Sequence, residues 1–500
     1  MSTGMSRARR GLAIGATTLA LGVVAATLTG AGAATPDPST PVPIATPEGQ
    51  VSSYVLNAKR ATPKGVADVS RVVEQAGGTV VQTWEEIGVV VAHSTHADFR
   101  SDVGRLGRSS VESFGATRTV AVKERTATPS LRRSTEGTVL KEEFANTAAE
   151  DVVRDPREGE QWDMRHIKAD QAHEVTDGSR DVLVGVLDSG IDADHPDLAP
   201  NIDVASSVNC TDAGTIDRSA TGWQPTTSDH GTHVAGTIGA ARNGVGIVGV
   251  APNVRMASVK VVSDEGFIYP EYAVCGFMWA GMQGMDVTNN SYYVDPFEYW
   301  CGDQPDQAAA KEAVSRAVEW STKQGTLHVA AAGNSATDLS NNTTNTTSPN
   351  DSTPVERTIN DGCLNIPTEL PDVVTVSSYA QIGTTNETQL SSFSNRGLGV
   401  IDIAAPGSRI LSTIVAGNGY GLKSGTSMAS PHVAGVAALM VSQHPTWKPS
   451  KLASQLRKQA DDRPCAPQQP SASPGAACVG TAAENSYAGD GMVDALDAVR

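Results

Sequence analysis

No cysteine precedes Cys210 in this 500-residue chain, no two cysteines form a CxxC pair, and none keeps ligand spacing with a histidine. Those absences remove the sequence support for a structural zinc site. The six cysteines, an even number placed after residue 200, suggest three disulfides in an exported protein, with 15 possible connectivities. Long apolar runs are also scarce. One covers Gly11 to Leu28, and no later stretch is long and apolar enough to span a bilayer. That run follows Arg7, Arg9 and Arg10 and precedes Ala31-Gly32-Ala33, the layout of an export signal over residues 1–33. A membrane anchor is the alternative reading, and Arg9-Arg10 leaves a twin-arginine export route open beside the general one. An excess of positive charge is missing too. Residues 1–150 carry a net +2 and the remainder a net −19, which argues against binding to nucleic acid or an anionic membrane.

What is present divides the chain into parts. Residues 34–51 are rich in Pro and Thr and are expected to form a disordered lead. Over 52–122 the pattern predicts strands at 53–56, 79–84, 88–93 and 116–122, with helices at 66–76 and 97–106. This is the βαββαβ order of a split-βαβ, ferredoxin-like sandwich. Residues 123–160 are highly charged, with Arg132-Arg133 and Glu142-Glu143, and read as an exposed linker. Beyond Trp162, apolar runs at 182–187, 255–262, 327–332 and 373–377 alternate with helical stretches at 270–283 and 307–324. Such alternation predicts an α/β domain over 161–500, built on a doubly wound, mostly parallel sheet. Residues 341–353 are polar and are expected to be a structureless surface run. A last short helix should open near Gly489–Ala495, with no binding module after it.

Three stretches in the second part carry chemistry. Asp188 closes an apolar strand, where open α/β sheets place their sites. His230 follows 42 residues later, and Ser427 stands where a polar turn enters an Ala-rich helix. Unpaired N–H groups and the positive helix end favour an anion beside that hydroxyl. Pro431 is expected to fall in the first turn of that helix, where proline is tolerated. Asp, His and Ser in this order supply an orienting carboxylate, a general base and a nucleophile for acyl transfer. The G-x-S-x-G elbow typical of esterases is absent around Ser427.

Together the motifs resemble the subtilisin family of serine proteases. The likeness runs from about Trp162 to Val499 and rests on DSGID at Asp188, HGTHVAGT at His230, VAAAGN ending at Asn334 and GTSMASPHVAGVAAL at Ser427. Lesser matches are Val250-Ala251-Pro252, Phe393-Ser394-Asn395-Arg396-Gly397 and Ala404-Ala405-Pro406-Gly407. The 52–122 segment resembles the family's propeptide, which acts as intramolecular chaperone and inhibitor. The resemblance implies a secreted, self-processing, monomeric endopeptidase acting on proteins or peptides. Asp188, His230 and Ser427 would form its triad, with Asn334 and the Ser427 N–H holding the oxyanion. His233 and His195 are read as structural.

Substrate strands would pair with Gly266, Phe267 and Ile268 and with Ser291, Tyr292 and Tyr293. Ala331, Ala332, Gly333 and Asn365 would wall the S1 pocket. Tyr293 and Asn365 stand where the family has glycine, so S1 is expected to be shallower or more polar, disfavouring Phe and Tyr at P1. The resemblance also implies structural calcium, with side-chain ligands Asp197 and Asn243 and carbonyl ligands Ala241, Val245 and Ile247. Glu160 or Gln161 would add an N-terminal ligand; catalysis itself would need no cofactor. Cys465 and Cys478 flank a Pro-rich loop as a local pair, Cys301 and Cys363 each follow an S1-walling segment, and Cys210–Cys275 remains by elimination. Two other classes stay open: a non-catalytic binding protein that keeps the fold, and an esterase using the same triad.

Overall fold

The computed structural model describes residues 37–123, 154–465 and 477–500. The export signal and most of the charged linker lie outside them. Among the described residues no helix is long and apolar enough to cross a membrane.

The first unit has β1 (Ser52–Ala58), α1 (Pro63–Gln75), β2 (Thr79–Trp84), β3 (Val89–Ser94), α2 (Phe99–Leu106) and β4 (Val111–Ala116). Its antiparallel sheet runs β2-β3-β1-β4. Thr62 caps α1 by accepting from Gly65 N at 3.1 Å, and Pro63 fills a first-turn position where its missing N–H costs nothing. The fourth strand begins and ends earlier than its expected 116–122. Gly107 closes α2, and pairing with β1 stops where Arg118 turns to a buried partner, Glu271.

The larger unit has β5 (Leu183–Asp188), α3 (His230–Gly239), β6 (Arg255–Lys260), α4 (Pro270–Met282), β7 (Val287–Asn290), α5 (Pro305–Gln324), β8 (Leu327–Ala331), β9 (Val373–Gln381), β10 (Ile403–Pro406) and α6 (Thr426–Gln443). Strands β6, β5, β7, β8 and β9 adjoin in that order and are parallel, β10 pairs parallel with β9, and only Thr388–Leu390 runs antiparallel. Every residue of β5 is buried, as a central parallel strand covered on both faces requires. One face, through Val184, Val186 and Val329, packs on α3 and α6. The other, through Leu187 and Val259, packs on α4 and α5, and that apolar cluster continues into the first unit's Tyr54, Leu56 and Val91. The chain leaves β5 to one side and returns to β7 on the other, so the crevice opens at the Asp188 end.

Two expectations about polar segments fail. The lead is ordered from residue 37: Ser39 donates from N and Oγ to Asp303 (2.7 and 2.6 Å), and Ile44 is buried in the core. Specific side-chain partners overcome its poor composition. Within 341–353, Asn345 and Ser348 are buried, because Glu298 needs donors and receives Asn345 Nδ2 at 2.9 Å while Ser348 Oγ accepts from Glu298 N at 2.8 Å. The disulfides are Cys210–Cys275, Cys301–Cys363 and Cys465–Cys478.

Candidate active site

Asp188 ends β5 with its side chain buried. Its Oδ1 accepts from Ser189 N at 2.7 Å, and His230 Nδ1 lies 2.9 and 3.0 Å from the two carboxylate oxygens. Burial lowers the His230 pKa, but the charge and hydrogen bond of Asp188 prevail, so the imidazole titrates above the ordinary 6.5. Its side chain remains 31% exposed, which leaves an edge for a substrate or nucleophile. His233 is held between the carbonyls of Ile410 and Gly421, and burial pushes its pKa down to about 3. His195 is likewise neutral, near 4, through burial, with Nε2 on Gly419 O. Neither can act as a base at the cleft.

Ser427 is the second residue of α6, whose N-terminus opens on the cleft. Its Oγ donates to Ser291 O at 3.2 Å rather than to an imidazole. The reverse bond explains Pro431, which lies in the second turn of α6 rather than the first. Proline lacks the N–H that would reach the carbonyl four residues back, the one of Ser427. Ser291 Oγ fills that place, donating to Ser427 O at 2.9 Å.

Asn334 follows a turn that only glycine fits. Gly333 has φ +103°, and a Cβ there would lie 2.4 Å from Asn395 Nδ2. Asn395 braces the turn: its Oδ1 accepts from Ser335 N and Thr337 N, and its Nδ2 donates to Ala332 O. Thr426 donates to Asn334 Oδ1 from both N (2.8 Å) and Oγ1 (2.9 Å). A backbone N–H can only donate, so the oxygen is fixed there and the Nδ2 amide is the donor left over.

Beside Ser427 lies a cavity of about 320 Å³. Gly266, Ile268, Ser291, Tyr292, Tyr293, Ala331, Gly333, Asn334 and Asn365 all line it. Phe267 and Ala332 do not. The Phe267 ring stacks on Tyr269, and Ala332 is fully buried with its backbone bonded to Val376 and Asn395. Sequence reading missed Asp295, Glu298 and Asn350 on the wall, since the first two lie in an aromatic, buried loop and the third in a polar run, and neither stretch carries a motif.

The residues expected to hold a cation share one hydrogen-bonded loop. Asp197 is buried, accepting from Ile247 N (3.1 Å), Tyr420 OH (2.9 Å) and Asn243 Nδ2 (3.4 Å). Val245 N and Ala241 N close the same loop through Asn243 Oδ1 and Asp197 O. Glu160 is engaged by Arg157, and both ends of the Gln161 amide are bonded to Val248. Asp155 lies against the same loop. Its Oδ1 accepts from Gly244 N and its buried Oδ2 has no donor. A buried unsatisfied carboxylate oxygen near a second buried carboxylate fits a hard cation.

Comparison with known proteins agrees with this architecture. The subtilase family (peptidase S8) matches residues 179–484. Subtilisin E of Bacillus subtilis (strain 168) is 33% identical over 299 residues, which are 60% of this chain and 65% of that protein, just under two thirds of its length. Subtilisin of Bacillus pumilus is also 33% identical over 299 residues, covering 90% of its length. Among solved structures, fervidolysin from Fervidobacterium pennivorans, a keratinolytic enzyme related to subtilisin, superposes with TM-score 0.62 at 22% identity over 90% of this chain and 61% of that one. The epidermin leader peptide processing serine protease of Staphylococcus aureus gives 0.63 at 20% identity, over 90% and 98%. These two likenesses concern the fold.

Proposed function

The chain belongs to the subtilase family, and we propose that it is a serine endopeptidase made as a secreted, self-processing zymogen. The observation that carries the catalytic part is the Asp188 carboxylate on His230 Nδ1, at the end of a strand paired with the one that leads into Ser291 on the cavity lined by Ser427 and Asn334. In this reading Ser427 Oγ leaves Ser291 O on substrate binding and attacks the scissile carbonyl. His230 Nε2 takes the hydroxyl proton and passes it to the leaving amine. Asp188 holds the Nδ1–H tautomer and stabilises the imidazolium. Asn334 Nδ2 and the Ser427 N–H bind the tetrahedral oxyanion; subtilisin is itself the reference case for such a donor, whose loss costs about 10²–10³-fold in turnover. Water then hydrolyses the acyl-enzyme by the same path. No step needs a metal. Calcium held by Asp155, Asp197 and Asn243 would neutralise buried carboxylates and stiffen the loop after α3.

The zymogen part is supported by the way the 52–122 unit sits on α4 and α5. Ser53 Oγ donates to Glu271 at 2.9 Å, Ala116 N donates to Asp306 at 2.9 Å, and Asn57 Nδ2 donates to Ala309 O at 2.9 Å. Arg118 is buried on Glu271. All but the Asn57 contact fall on first-turn carboxylates of the two helices, Glu271 and Asp306. We read this unit as propeptide, residues 1–33 as export signal, 123–160 as the linker, cut ahead of Asp155, and 161–500 as the peptidase. The mature form would be an extracellular monomer. Casein turnover, a short ester substrate and a serine-directed phosphonate together test this. Casein hydrolysis abolished by phosphonate supports the peptidase, ester turnover alone supports the esterase, and neither supports a binding protein.

A further inference from the structure

The cavity beside Ser427, where Tyr293 and Asn365 predict a shallower or more polar S1, has an acidic wall. Asp295 and Glu298 both line it, both are buried, and neither has an ion-pair partner among the described residues. No Lys, Arg or His lines it. Two further side-chain oxygens of the wall, Asn350 Oδ1 and Asn365 Oδ1, are buried without any donor. Each such oxygen is unfavourable until a donor reaches it.

We propose that this pocket takes a cationic side chain, so that the peptidase cleaves after Arg or Lys. The inference rests on the endopeptidase reading given above. The ammonium or guanidinium would enter beside Asn365 and Asn350, with Asp295 and Glu298 supplying the charge. The carboxylates are held for the purpose. Asp295 accepts from Ile268 N and Asn350 Nδ2 at 2.6 Å each, and Glu298 accepts from Ser335 Oγ, Asn345 Nδ2 and Thr347 Oγ1. Tyr293 OH also accepts from Asn350 Nδ2 at 3.0 Å, which places Asn350 between the phenol and Asp295. One buried cation, Arg357, acts on Glu298 through space, but its own bonds go to Tyr299 O, Asn345 Oδ1 and Gln307 Oε1. It offsets one of the two carboxylates and leaves the other uncompensated. Burial lifts the Asp295 pKa to about 7, consistent with a carboxylate lacking a cation in contact.

The charge is isolated by pairing substrates of one shape. Matched fluorogenic tetrapeptides with Arg, citrulline, Lys, Ala and Phe at P1 are compared by kcat/KM on the self-processed enzyme. Arg should exceed citrulline, and also Phe, by at least about 10-fold, the ratio for one charge-assisted bond. Glu298→Gln and Asp295→Asn should each reduce the Arg-to-citrulline ratio several-fold; the ratio of the unaltered enzyme decides the matter if either variant does not fold. Cleavage after Ala with an Arg-to-citrulline ratio near one would overturn the S1 assignment and leave the peptidase standing. No cleavage of any substrate, with no phosphonate label on Ser427, would overturn both.

Discussion

The pairing of Ser291 with Pro431 gives a prediction that only this arrangement makes. Ser291→Ala removes the hydroxyl that stands in for the missing Pro431 N–H, so the Ser427 carbonyl loses its donor inside the α6 packing. An unsatisfied buried acceptor costs about 1–3 kcal/mol. At about 2.1 cal/mol/K of unfolding entropy per residue over residues 161–500, the melting midpoint should fall by at least about 1 °C. Pro431→Ala supplies the N–H in the ordinary helical way. In that background Ser291→Ala should cost less, giving a coupling of about 1 kcal/mol between residues that do not themselves bond. All four proteins are made with Ser427→Ala, so that self-digestion does not obscure unfolding, and are melted at one scan rate. Equal losses in both backgrounds would show that the hydroxyl does not replace the proline's donor.

Three further outcomes follow from the same contacts. Because Asp188 raises His230 above 6.5, and only the neutral imidazole accepts the serine proton, kcat/KM should climb with pH through a midpoint above 6.5. The stability supplied by the charged pair runs the other way, full below 6.5 and lost as pH rises through the folded value; Asp188→Asn should cost about 10⁴-fold in kcat. Chelation should lower the melting temperature of the mature enzyme, and Asp155→Ala should remove that calcium response, as differential scanning calorimetry with and without EDTA would show. An unchanged midpoint would remove the cation site. Arg118→Ala leaves Glu271 buried without its cation, so the 52–122 unit should bind the peptidase at least about 10²-fold more weakly, measured as inhibition by the added propeptide.

The sheet and the three motifs were legible because their signals are local. Leu183–Asp188 is apolar throughout since both faces are covered, and Ser427 opens an Ala-rich helix that packs on all sides. What escaped depends on partners far along the chain. Ser291 and Ser427 are 136 residues apart, and nothing around Ser291 announces that it completes the helix of Pro431. Asn350 lies in a run of Asn, Thr and Ser that reads as surface, yet Asp295 and Tyr293 draw it into the cavity wall. Asp155 sits outside every motif, and only the loop after α3 gives its carboxylate a place. The lead at 37–51 was misread for a related reason: composition reports an average tendency, whereas Ser39 is held by a single carboxylate.

The central claim is that Ser427 is the nucleophile and makes the first cut in its own chain. Both the native protein and Ser427→Ala are expressed in a protease-deficient host, and their N-termini are read by mass spectrometry. The native chain should begin between residues 123 and 155, so that Asp155 stays with the mature enzyme, and carry one phosphonate adduct on Ser427. The variant should retain the 52–122 unit, take no label, and show activity lower by about 10⁶-fold, the loss known for the nucleophile of subtilisin. Identical N-termini in the two proteins, or a phosphonate adduct elsewhere, would contradict the account.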